Sequence, residues 1–195
     1  RLSQMQDIAG CRVVVADIVR QDQLVASLAT DFPSASVIDR RDNPSSSHGY
    51  RAVHIVAEMS GKPIEIQIRS SLQHLWAELS EKCADVLDPA IKYGGGPSRW
   101  REFLSKRSEL VASYEAIERK LHKHVGLIEE EVGHLNEIEN SLASEHDRPD
   151  HHEQEARQQL NCLRRRVALM EQEFEGVRQE FLSQRKKIAD HLLLQ

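Results

Sequence analysis

Apolar residues recur every seven positions through most of the second half of the chain, and no other feature limits its fold as strongly. Tyr114, Leu121, Ile128, Leu135 and Leu142 are each seven apart, with Leu110, Ile117 and Ile138 interleaved. After the polar stretch Glu145-His146-Asp147-Arg148-Pro149-Asp150, a second series runs through Leu160, Val167, Phe174, Phe181 and Ile188. Leu163, Met170 and Val177 form its second row. A heptad repeat draws one apolar stripe along a helix, and that stripe needs a partner helix to cover it. Two long helices in a hairpin or a coiled coil are therefore expected. His124 and Glu131 fall at seam positions of the first series and leave it imperfect. The covering partner is a helix of the same chain, of a second copy, or of another protein.

Residues 11 to 69 follow a different rhythm. Cys11-Arg12-Val13-Val14-Val15-Ala16 is β-branched and nearly continuous, which predicts a strand covered on both faces. From Gln21 to Asp31, Leu24, Leu28 and Ala29 share one side of a short amphipathic helix, ended by Pro33. Val37-Ile38 opens a second strand. Ala52 to Glu58 and Pro63 to Arg69 are two more, joined through Ser60-Gly61, a good two-residue hairpin turn. From Ser71 the period becomes helical, with Leu72, Leu75, Trp76 and Leu79 on one face. Asp88-Pro89 and Gly94-Gly95-Gly96-Pro97 then interrupt the pattern. The expected fold is α+β: a mixed β-sheet flanked by helices over residues 1–93, followed by a long helical hairpin or coiled coil over residues 98–195.

Bulk properties narrow the function classes. A net charge of −5 provides no general basic field for duplex DNA or an anionic membrane, and 5% aromatic residues are too few for a row of base-stacking platforms. Cys11, Cys83 and Cys162 are odd in number and widely spaced, so they read as reduced thiols with neither a disulfide framework nor a zinc site. No apolar run approaches membrane-spanning length and no signal peptide opens the chain; a cytoplasmic location is expected. His146, Asp147, His151 and His152 lack the fixed spacing of a helix-borne ligand pair and read as a polar connection between helices.

The residues that carry chemistry cluster around the hairpin. Ile64, Ile66 and Ile68 alternate with Glu65, Gln67 and Arg69, so one face of that strand is apolar and the other bears an acid, an amide and a guanidinium. A solvated sheet face would read the same way. Two further features favour a site. Asp7 immediately precedes the first strand, and Tyr50 and His54 occupy the start and one face of the neighbouring strand, with small Ala52 between them. Two carboxylates from different strands, Asp7 and Glu65, suit Mg²⁺, which takes one or two protein carboxylates and completes its shell with water and substrate phosphates. Glu65 is the candidate acceptor for a nucleophile's proton.

Three segments, Gln6-Asp7-Ile8-Ala9-Gly10-Cys11-Arg12, Gly49-Tyr50-Arg51-Ala52-Val53-His54 and Glu65-Ile66-Gln67-Ile68-Arg69, resemble consecutive motifs of the RelA/SpoT synthetase family in order and spacing, as does the following Trp76-Ala77-Glu78. The resemblance spans roughly residues 1 to 93. It implies a nucleotidyltransferase-like synthetase core that transfers pyrophosphate from Mg-ATP to the 3′-hydroxyl of GDP or GTP. On that basis Asp7 binds Mg²⁺, Glu65 binds Mg²⁺ or activates the 3′-hydroxyl, Arg12 stacks on adenine and Tyr50 stacks on the acceptor base. His54 and Gln67 line the same cleft.

Two departures from the family pattern bear on these expectations. The family commonly has a basic strand and helix ahead of the aspartate motif, whereas this chain opens at Arg1-Leu2; either an N-terminal part is missing or the ATP site is incomplete. Ahead of Gly49, the segment Asn43-Pro44-Ser45-Ser46-Ser47-His48 replaces a lysine and an asparagine common in makers of guanosine alarmones, which leaves the acceptor open. Arg40 and Arg41 are candidates for the missing positive charge. A toxic branch of the family modifies the tRNA 3′ end, and Lys62, Lys92, Arg99, Arg101, Lys106 and Arg107 are the basic residues available to such a substrate. The other alternative is a non-catalytic nucleotide-binding module that recruits a partner, or a second copy, through its helices. No segment supplies a hydrolase domain.

Overall fold

The computed structural model of the protein describes residues 9–41, 48–144, 150–188 and 190. It contains two compact units. Arg1–Ala116 with Lys187–Gln195 form the first, and Ile117–Lys186 the second.

The first unit is built on a four-stranded mixed sheet of β1 (Gly10–Val15), β2 (Ser36–Asp39), β3 (Val53–Met59) and β4 (Lys62–Ser70), in the order β1-β4-β3-β2. β1 runs parallel to β4, and the other pairs are antiparallel. Ser60 and Gly61 both have positive φ, 53° and 72°, as a two-residue turn matching the strand twist requires. α1 (Ile18–Asp31) starts at Asp17, whose carboxylate accepts from the Arg20 amide at 2.7 Å. Leu24, Val25 and Leu28 of α1 pack on Ile55, Ile66 and Ile68. Complete burial of Ile55 and Ile68 contributes about 1.5–3 kcal/mol each.

β1 departs from expectation. Its residues are exposed or half-buried, with Val14 42% exposed. The strand lies at the sheet edge with β4 as its neighbour, so its β-branched run suits a half-covered pleat rather than a central strand.

α2 (Ser71–Val86) begins with a capping box in which Ser70 and Gln73 satisfy each other's backbone amides. Trp76, Ala77 and Ala84 pack with Ile91 from a short 3-10 helix (Pro89–Tyr93) and with Leu104 and Val111 from the start of α3 (Ser98–Ser144). The glycine-rich break at 94–97 therefore lies within the first unit, and the first turns of α3 belong to its core.

In the second unit α3 continues beside α4 (Asp150–Ile188). Ion pairs between them join later residues of one to earlier residues of the other, as in an antiparallel pair. Leu121, Ile128, Leu135 and Ile138 on α3 and Leu160, Leu163, Val167, Met170, Phe174, Val177 and Phe181 on α4 are buried or half-buried, whereas most positions between them are exposed. Glu139 pairs with Arg164 at 2.6 Å, and Glu131 with Arg166. Among the described residues no helix is long and apolar enough to cross a membrane. Cys11, Cys83 and Cys162 are free thiols. The His146, Asp147, His151 and His152 cluster lies outside the described side chains.

Candidate functional site

The site follows from sheet register. Arg12 on β1, Gln67 on β4 and His54 on β3 are cross-strand partners, so three side chains from neighbouring strands stand in one row. Glu65 and Arg69, two positions either side of Gln67, share its face. α1 covers the opposite face through Ile66 and Ile68, which leaves this one for polar groups.

A continuous hydrogen-bonded path joins them. Arg12 Nε donates to Gln67 Oε1 at 2.8 Å, and Gln67 Nε2 donates to the Tyr50 hydroxyl at 2.7 Å. The same hydroxyl lies 2.9 Å from His54 Nε2, and His54 Nδ1 lies 2.5 Å from Glu65 Oε1. Arg69 Nη2 also donates to the Tyr50 hydroxyl at 3.2 Å, with its guanidinium 5.0 Å from the Tyr50 ring centre. Arg12, Tyr50, His54, Glu65 and Gln67 are thus brought together. Asp7 lies outside the described residues.

Two cavities open along this path. One, of about 330 Å³, is lined by Gly10, Cys11, Arg12, Glu65 and Gln67. The other, of about 450 Å³, meets Tyr50 and Arg69 with Arg40, His48, Trp76 and Lys92. Its basic side chains outnumber the acidic Glu81 on its wall. Arg69 is 3% exposed, and among the described residues its Nε has no hydrogen-bond partner. A buried guanidinium left partly unsatisfied beside an open cavity suits an anionic ligand.

Arg40 and Arg41 have separate fates. Arg40 lines the larger cavity. Arg41 turns inward and pairs with both Asp39 and Asp22 at 2.5 Å. Burial works against its charge, but hydrogen bonds to Asp39 and Asp22 outweigh that and hold its pKa above the ordinary guanidinium value. Its charge is therefore committed within the protein. Lys92 pairs with Asp85 at 3.6 Å, while Arg99 and Arg107 lie over Trp100 and Phe103.

Sequence reasoning did not assign Arg69 to the site and named Lys92 only as one of several basic residues open to a tRNA substrate. Arg69 had a signal, since it continues the alternation of Glu65 and Gln67; nothing local placed Lys92 beside this cavity, because its proximity arises from the packing of the 3-10 helix.

Residues 1–84 match the family model described as a region found in RelA/SpoT proteins. The chain is similar to uncharacterized proteins of Mycobacterium tuberculosis and Mycobacterium bovis, each 34% identical over 145 residues, covering 71% of this chain and 50% of theirs. The chain thus spans about half the length of the curated relatives it matches. Similar solved structures include the small alarmone synthetase 1 from Bacillus subtilis, at 24% identity and a TM-score of 0.45 over 65% of this chain and 67% of that one. The same synthetase bound to its product pppGpp aligns at 22% identity and a TM-score of 0.44 over 63% and 65% of the two chains.

Proposed function

With residues 1–84 belonging to the RelA/SpoT family, we propose that the protein is a nucleotide pyrophosphokinase that transfers pyrophosphate from Mg-ATP to the 3′-hydroxyl of GDP or GTP. The observation that carries this reading is the polar path from Arg12 through Gln67, Tyr50 and His54 to Glu65, with a cavity on either side. The smaller cavity meets Arg12, Gln67 and Glu65 and the larger meets Tyr50, so one hydrogen-bonded path links two pockets, which suits a donor and an acceptor that must meet.

Arg12 presents its guanidinium to the adenine of ATP in the smaller cavity. Tyr50 supplies a stacking surface for the acceptor base, with its hydroxyl tied down by Gln67, Arg69 and His54. Arg40, Arg69 and Lys92 give the larger cavity the positive charge that acceptor phosphates require.

Glu65 fits a magnesium site. It is a half-buried hard oxygen donor facing a cavity, its Oε1 meets His54, and its Oε2 has no hydrogen bond among the described residues. Asp7 is the second carboxylate that the family motif implies. A bound magnesium ion would neutralise triphosphate charge. Glu65 takes the proton of the acceptor 3′-hydroxyl as that oxygen bonds to the β-phosphorus of ATP. The bond from that phosphorus to the bridging oxygen breaks, and AMP leaves with the electron pair.

The test is incubation with γ-labelled ATP, Mg²⁺ and, separately, GDP, GTP, ATP or deacylated tRNA. Label appearing on GDP or GTP supports this reading. Label on tRNA alone would assign the toxic branch, and absence of transfer to any acceptor by folded protein would favour a non-catalytic binding module.

A further inference from the structure

We propose that Ser108 and Glu115, on the first turns of α3, are positioning residues that hold Tyr50 in place for the acceptor; this rests on the transferase reading above. The two are seven residues apart, so they share a face about 10 Å apart along the helix. Both are buried, at 1% exposure, unusual for a serine and a glutamate on one helix face.

Their contacts bracket Tyr50. Ser108 Oγ donates to the carbonyl oxygen of Gly49 at 2.6 Å, and Glu115 Oε2 accepts from Arg51 Nη2 at 3.3 Å. The residue before Tyr50 and the residue after it are thus both held by α3. Gly49 adds a steric reason for this grip. Its φ is 90°, and a Cβ there would lie 2.9 Å from the Trp76 ring and 3.2 Å from Ser108 Cβ, so the backbone is pressed between α2 and α3.

Glu115 is itself fixed. Its Oε1 accepts from Ser70 Oγ at 2.7 Å and from Gln73 Nε2 at 2.8 Å, and Arg51 Nη1 donates onward to the Arg41 carbonyl. Ser70 ends the strand that carries Glu65, Gln67 and Arg69. One carboxylate on α3 therefore ties the end of β4 to the segment leading into β3. A displaced Tyr50 would lose its hydroxyl bonds to Gln67 and Arg69, so α3 acts on the acceptor side of the site through backbone it does not share.

The full chain with Ser108→Ala or Glu115→Gln tests this, with exposed Ser113→Ala as control. Amide hydrogen exchange over residues 49–53 is expected to quicken about three- to tenfold in Ser108→Ala, the worth of one buried hydrogen bond. The KM for GDP or GTP should rise by a similar factor while that for ATP holds. Glu115→Gln keeps the side-chain shape but removes the charge facing Arg51, and the same split is expected. Unchanged exchange at 49–53, or an equal rise in both KM values, would overturn the proposal. Quickened exchange in a protein that transfers label to no acceptor would uphold the grip on Tyr50 and count against the transferase reading.

Discussion

His54 Nδ1 and Glu65 Oε1 meet at 2.5 Å across two antiparallel strands, so one carboxylate oxygen of this cavity-lining residue is oriented by a neighbour while the other makes no hydrogen bond among the described residues. If Glu65 takes the 3′-hydroxyl proton, Glu65→Gln removes the base and leaves the side-chain shape. A fall in kcat of about a hundred- to ten-thousandfold is expected, with an unchanged melting temperature. Steady-state transfer assays alongside thermal melts check it, and full activity in the variant would remove Glu65 from that role.

Tyr50 divides into a ring and a hydroxyl that do different work. Tyr50→Ala removes the stacking surface and should raise the acceptor KM about ten- to a hundredfold, from the worth of base–aromatic stacking. Tyr50→Phe keeps the ring but strips the oxygen on which Gln67, Arg69 and His54 converge. Its acceptor KM should change less than that of Tyr50→Ala. Equal KM values for the two variants would show that stacking is not what the ring contributes.

Much of this arrangement was legible in the chain, and what was not has a physical reason. The alternation at 64–69 foretold which residues face α1 and which face the site, because period two is a local property of a strand. Heptad positions on both long helices map onto the half-buried rows for a similar reason. Local pattern does not report long-range cover, so the valines of β1 read as central although they lie on an edge strand. Nor does it report how a charge is used. Arg41 looked available for substrate but is spent on Asp39 and Asp22, and Glu115 looks like one more helix-surface acid although it is buried against Arg51, Ser70 and Gln73. The path joining Arg12 to Glu65 depends on register across three strands, and only the family motifs hinted at it.

Gly10 sets how closely β1 approaches the strand bearing Glu65. The Glu65 amide donates to the Ala9 carbonyl at 3.0 Å, and a Cβ on Gly10 would lie 2.6 Å from the Glu65 carbonyl oxygen. Gly10→Ala must push the two strands apart where Arg12 and Glu65 face the same cavity. A loss of about 1–3 kcal/mol is expected by denaturant titration, as for other overpacked sites, together with weaker ATP binding. An unchanged midpoint and ATP affinity would mean that β1 yields without cost.

The imperfect heptad position at Glu131 leads to an opposite expectation, a gain in stability. Its carboxylate pairs with Arg166, whose side chain is 60% exposed, and its Oε2 is buried without a hydrogen-bond partner among the described residues. A pair so open on one side contributes little, while the unsatisfied oxygen costs about 1–3 kcal/mol. Glu131→Leu would replace it with apolar surface in line with half-buried Ile128 and Leu135. Arg166 would lose a partner but keep its hydration. The urea midpoint of the second unit should therefore rise, by an amount equivalent to roughly 1 kcal/mol. A lower midpoint would mean that the ion pair contributes more to the helix pairing than the seam position does.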